Sequence, residues 1–136
     1  MKVLILAVLV LGCGGDVASA ATLKGTLKYS RSGGFAGVSE RVSIAPSGKA
    51  TFTVKKRRTA TLTRAERSRL ARYAEAADIP HVKVPKGSKC CDTFAYDLTY
   101  RGRTLTWYDG GKWPKALSRL VTELNRLVGK YGGGLG

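Results

Sequence analysis

The stretch VSERVSIAPSGKATFTV, residues 38–54, reverses direction at its middle, and its reading decides the fold. Val38, Glu40, Val42 and Ile44 alternate with Ser39, Arg41 and Ser43, the period of two of a strand with one buried face. Pro46-Ser47-Gly48-Lys49 supplies turn residues, and Ala50, Phe52 and Val54 resume the alternation on the far side. This third strand is read as running on into the basic run Lys55-Lys56-Arg57-Arg58. Upstream, Leu23, Gly25, Leu27 and Tyr29 alternate with polar neighbours, so three strands form an antiparallel meander.

Beyond the meander the period changes. Thr63 with Glu66 three positions on is a capping box, in which each side chain satisfies the other residue's amide, and it predicts a helix from Thr63 to Ala77. Leu70, Tyr73, Ala74 and Ala77 make its apolar stripe, and Ile79-Pro80 ends it. The stretch 81–91 reads as a loop. Phe94, Tyr96, Leu98 and Tyr100 alternate again, Arg101-Gly102 closes a tight hairpin, and Leu105 and Trp107 face inward on the return strand. Pro114 sits at the first turn of a second helix carrying Leu117, Leu120, Val121, Leu124, Leu127 and Val128 at helical spacing. The order β-β-β-α-β-β-α predicts an α+β fold, an antiparallel sheet of about five strands with two helices packed on one face.

A chain of 136 residues supports one core, placed at 22–131, with 132–136 as a flexible glycine-rich tail. Residues 1–12 carry one Lys and then an apolar run too short to span a bilayer, the pattern of an export signal. Two cleavage readings stay open. Val10-Leu11-Gly12-Cys13 fits a bacterial lipobox, which makes Cys13 the lipidated first residue of a lipoprotein and 13–21 a tether. Ala18-Ser19-Ala20 fits ordinary signal peptidase, removing 1–20 and leaving a secreted protein.

The net charge of +15 would suit nucleic acid, but an exported chain meets acidic proteins, anionic wall polymers and lipid headgroups instead, so no nucleic-acid partner is expected. His81 is the only histidine and no metal-hydrolase, phosphate-loop or nucleophile-elbow motif is present, so no enzyme activity and no catalytic residue is expected. Glu40, Asp92, Asp97 and Asp109 read as partners of the many Lys and Arg rather than as a hydrolytic pair. A zinc site of His81, Cys90 and Cys91 lacks a fourth ligand, so neither metal nor cofactor is expected. Adjacent Cys90 and Cys91 leave a vicinal disulfide or a pair of thiols, in either case shaping the loop before Phe94.

Alternation and helical spacing assign most of Tyr73, Phe94, Tyr96, Tyr100, Trp107 and Tyr108 to the core. Trp113, beside Gly110-Gly111, is a helix-entry staple or a contact residue, and Phe35 poses the same choice: fold back, or enter a partner's pocket.

Between the first two strands lies Arg31-Ser32-Gly33-Gly34-Phe35-Ala36-Gly37. By composition it is a hairpin loop whose glycines adopt positive φ. The string also resembles the emfourin family, small protein inhibitors of thermolysin-like zinc metalloproteases, over roughly 27–128, with only this heptad sharp. The resemblance implies that Ser32, Gly33 and Gly34 plug the protease cleft and that Phe35, Ala36 and Gly37 support the plug; Arg31, beside the loop, and Trp113, from its own position, are expected as supporting contacts. The partner implied is a thermolysin-like metalloprotease, with a membrane contact through the lipid if Cys13 is modified. The export signal, the basic run 55–58 and the Cys90-Cys91 pair depart from the family pattern. The alternative class is a surface-anchored basic module for anionic wall polymers or lipid headgroups, without inhibition. Loop glycines support little of a core, so Val at Gly33 is expected to leave the melting temperature nearly unchanged.

Overall fold

The computed structural model describes residues 21–88 and 92–133, so the expected export signal, Cys13, Cys90 and Cys91 lie outside the described residues. Eight elements follow in order: β1 (Leu27–Gly33), β2 (Val38–Ile44), β3 (Lys49–Thr53), β4 (Arg57–Thr61), α1 (Arg64–Ala77), β5 (Phe94–Tyr100), β6 (Arg103–Tyr108) and α2 (Lys115–Tyr131). The fold is α+β. One antiparallel sheet has the strand order β4-β3-β2-β1-β5-β6, with β1 in its interior between β2 and β5.

The sheet has six strands. The basic run is not an extension of β3. Val54, Lys55 and Lys56 turn the chain, and Arg57–Thr61 returns as β4, pairing Thr53 with Arg57 and Lys49 with Thr61. β4 is an edge strand with little to bury, and cations suit an edge because they discourage a further strand from adding to it. The segment 21–26 precedes β1 without joining the sheet, although Leu23 is buried and the Lys24 amide donates to the Tyr100 hydroxyl at 2.8 Å.

The alternation in the sequence becomes two unlike faces. Leu27, Tyr29, Val42, Ile44, Phe52, Leu98, Leu105 and Trp107 point into one buried cluster with Leu70 and Ala74 of α1 and with the apolar face of α2. Leu117, Leu120, Leu124 and Leu127 are all fully buried. The opposite face is open and rich in Ser and Thr. On it the register lines up Ser30 with Arg41 and Asp97, and Lys28 with Ser43 and Thr99.

Local signals set the element ends. Thr63 caps α1 through the foreseen box, its amide donating to Glu66 Oε1 at 3.0 Å and its Oγ1 accepting from the Glu66 amide at 3.1 Å. The helix stops at Asp78, in the left-handed region at φ 49°. Arg101 (φ 50°) and Gly102 (φ 79°) form the two-residue turn between β5 and β6, whose twist suits antiparallel strands. Pro114 stands at the N-cap of α2, one position outside the helix, where its missing N–H leaves no intrahelical bond unmade.

Candidate functional site

β1 extends three residues into the heptad, which composition reads as loop throughout. Ser32 pairs with Ser39 and Ala95, and Gly33 with Val38 and Phe94, so both belong to an interior strand. Past them, the Gly34 amide donates to the Thr93 carbonyl at 3.3 Å, and the Gly37 amide donates to the Gly34 carbonyl at 3.2 Å. The projecting tip is therefore Phe35, Ala36 and Gly37, all exposed, while Ser32 is exposed on the open face of the sheet.

The first two glycines are demanded by this chain's own packing. Gly33 has φ +103°, and a Cβ there would lie 2.7 Å from the Thr93 carbonyl oxygen, main chain that has little room to move. At Gly34 (φ +73°) a Cβ would lie 2.8 Å from the Phe94 ring. Of the heptad's three glycines, only Gly37 faces open space. The expectation that Val at Gly33 leaves the melting temperature unchanged is thus corrected: β5 and the segment before it press against the position.

Beneath the tip lies a set of charged and aromatic contacts. Arg31 pairs with Glu40 across the β1–β2 ladder, Nη2 at 2.8 Å and Nε at 3.0 Å from Oε2, and its guanidinium stands 4.9 Å from the centre of the Phe94 ring. Such a pair on a half-buried face retains more of its attraction than an exposed one, because less water screens it. Phe94 leans on Tyr96, Tyr96 stacks on Trp107 with centroids 5.3 Å apart, and Trp113 meets both edge-on at 4.8 and 5.5 Å. Asp109 ties the group together, accepting from the Phe94 amide at 2.9 Å and the Tyr96 hydroxyl at 2.8 Å. Burial, and then that bond to a carboxylate, push the Tyr96 phenol above its ordinary pKa, so it stays a donor. Trp113 is therefore half-buried in the cluster at the entry to α2, below the hairpin.

Phe35 does the opposite. It is 95% exposed, the one large apolar side chain so exposed among the described residues. The bonds that hold 33, 34 and 37 keep the tip's base in place while leaving this ring in water.

The carboxylates are dispersed. Glu40 faces the helices with Arg31, Asp97 lies on the open face and accepts from Thr106 Oγ1 at 2.6 Å, Asp109 is held as above, and Asp92 is exposed. His81 bonds to Asp78 at 2.9 Å. No cluster of three or more His, Cys, Asp or Glu occurs among the described residues.

One polar network was not foreseen from the sequence. Glu66, already used in the α1 cap, also accepts from Lys130 at 3.0 Å, from Arg126 at 3.3 Å and from the Tyr131 hydroxyl, all on α2. Glu123 of α2 bonds to Arg126 at 2.8 Å and lies 3.6 Å from Arg69 of α1. These residues lock the two helices together over the sheet that carries the hairpin. No protein-family model and no curated protein sequence matches the chain.

Proposed function

We propose that this protein inhibits a thermolysin-like zinc metalloprotease by placing the β1–β2 hairpin in the protease's substrate cleft, as the resemblance to the emfourin family implies. The observation that carries the reading is Phe35: a ring 95% exposed at the tip of a hairpin whose base is bonded on both sides. Burying this ring in a partner's apolar pocket removes it from water and contributes favourably to binding. Cleft-binding inhibitors need a segment that presents main chain as a substrate does yet keeps its shape, and the bonds at Gly34 and Gly37 restrain this one. In this arrangement Phe35 fills an apolar subsite, Ala36 and Gly37 line the cleft wall, and Ser32 offers a hydroxyl at the stem. Gly33 and Gly34 set the tip's direction. On the same reading the protein acts outside the cell, anchored through Cys13 or secreted.

The test is a titration of thermolysin with the purified full chain, read by cleavage of a fluorogenic peptide. Burying a Phe ring contributes about 1.5–3 kcal/mol, so Phe35→Ala raises the inhibition constant by about ten- to a hundredfold, with no change in melting temperature. Absence of inhibition by wild type, or equal inhibition by the variant, overturns the reading.

A second reading, attachment to anionic wall polymers or lipid headgroups without inhibition, draws support from the open face. Lys28, Arg41 and Arg57 stand there among Ser and Thr with no carboxylate partner among the described residues. Attachment of that kind collapses at high salt, whereas an inserted hairpin persists.

A further inference from the structure

Two hairpins leave the same end of the sheet: β1–β2 with its Phe35 tip, and β3–β4 with the turn at Val54, Lys55 and Lys56. A groove of about 580 Å³ runs between them and is closed at the back by Gly132 and Gly133 at the end of α2. Its floor is the Arg31–Glu40 pair, which is internally neutral. Lys55, Lys56 and Arg58 line one wall, all three exposed and none with a carboxylate partner among the described residues. Arg58 lies over the end of α2, since a Cβ on Gly133 would fall 3.2 Å from its guanidinium carbon. That end of a helix carries partial negative charge, which helps to hold Arg58 in place. Lys55 and Lys56 have no such neighbour.

We propose that this groove is a subsite for the carboxylate side chains of an acidic polypeptide segment, on the rim of the cleft that the hairpin enters. The proposal rests on the inhibitory reading for the identity of the partner, but not for the chemistry of the groove. Three facts select a protein carboxylate. The site is recessed between two hairpins, so a side chain reaches it where a flat layer of headgroups does not. The Arg31–Glu40 floor adds no net charge, so the groove's positive charge comes from three separate side chains on one wall, which individual carboxylates along a segment can match. The opposite wall includes Ala36 and Gly37, which places the cations beside the apolar tip on one continuous surface. Protein interfaces combine an apolar anchor with a charged rim, in which the rim charges act mainly on the rate of encounter.

The experiment compares the full chain with the groove variant Lys55→Gln/Lys56→Gln/Arg58→Gln and with a charge-matched control, Arg64→Gln/Arg72→Gln/Lys115→Gln, whose changes are at exposed helix positions. The direct probe is an acetylated hexaglutamate peptide followed by amide chemical shifts. The proposal expects shifts concentrated at 36–40, 54–58 and 132–133, abolished in the groove variant and kept in the control. Against thermolysin at low salt, the groove variant then associates about tenfold more slowly than the control, and the difference shrinks as salt is raised. Equal peptide binding by both variants overturns the subsite, as does a groove variant that loses binding to phosphatidylglycerol vesicles but not to hexaglutamate. If the groove takes the peptide while wild type fails to inhibit thermolysin, the inhibitory reading falls and the subsite stands. If wild type inhibits and the peptide shifts nothing at the groove, the subsite falls alone.

Discussion

Replacing Glu66 by Gln removes one negative charge from the contact between α1 and α2 while keeping the side chain's shape. The carboxylate is 5% exposed and receives hydrogen bonds from the Thr63 amide, Lys130, Arg126 and the Tyr131 hydroxyl. Burial alone pushes its pKa up, but the bonds from Tyr131, Thr63 and Lys130 outweigh that and hold it at about 2 against an ordinary 4.5. At about 1.36 kcal/mol per pH unit, the difference sets a ceiling of about 3 kcal/mol on what ionisation of this group contributes to stability. Arg126 and Lys130 are 42% and 48% exposed, so water and salt screen them and the expected contribution is about 1–2 kcal/mol. Because the folded pKa is depressed, this stability is present above pH 4.5 and is lost as pH falls towards 2. Urea unfolding at a series of pH values from 7 to 2.5 measures it. Wild type should exceed Glu66→Gln by about 1–2 kcal/mol at pH 7, with the gap closing through that acid window. A gap that is absent at neutral pH, or that stays constant through the window, refutes the assignment of an ionised Glu66 as the bridge between the helices.

Leu124→Ala, at a fully buried position of α2, should cost about 2–5 kcal/mol in urea unfolding, and a loss under about half a kcal/mol would mean that α2 does not pack on the sheet as described. Gly33→Ala should lower stability by about 1–3 kcal/mol or more, because its φ and the Thr93 carbonyl both oppose a Cβ, whereas Gly37→Ala meets only the backbone term of about 1–2 kcal/mol. Thermal melts of the two variants side by side should rank them in that order, and equal melting temperatures would show that β5 does not constrain the first glycine.

The parts of the fold legible in the sequence are those whose signals are local. Alternation through 38–54 corresponds to a register in which Val42 faces Phe52 and Ile44 faces Ala50, and the Thr63–Glu66 box and the Leu117–Val128 spacing mark both helices. β4 escaped because its residues are mostly exposed and its pairing partner, not its own pattern, makes it a strand. Glu66 was legible as a cap, but its bonds to α2 join residues at least 60 positions apart, and nothing in a local window marks them. The tip behaved in the same way. Its positive φ values follow from glycine chemistry, while the close approach of Thr93 and Phe94 depends on β5 pairing with β1 rather than with β4.

That pairing also gives the hairpin its mechanical character. A hairpin at the edge of a sheet is bonded along one side and can twist away from it, whereas β1 is bonded to β2 and to β5 as far as Gly33. Below that point, Arg31 is fixed by Glu40 and covers Phe94, and Phe94 is held through its amide by Asp109. Ordering a free loop on binding costs about 1–2 kcal/mol of backbone entropy per residue, and a stem already fixed to its last pair leaves only the residues between Gly33 and Val38 to be ordered. The sequence uses small residues at four of the five positions from Gly33 to Gly37 and concentrates the apolar surface of the tip in one ring. An interior strand ending in such a tip presents Phe35 from a fixed base, so less of the energy gained by burying the ring is consumed in ordering the chain than a free loop of the heptad's length would consume.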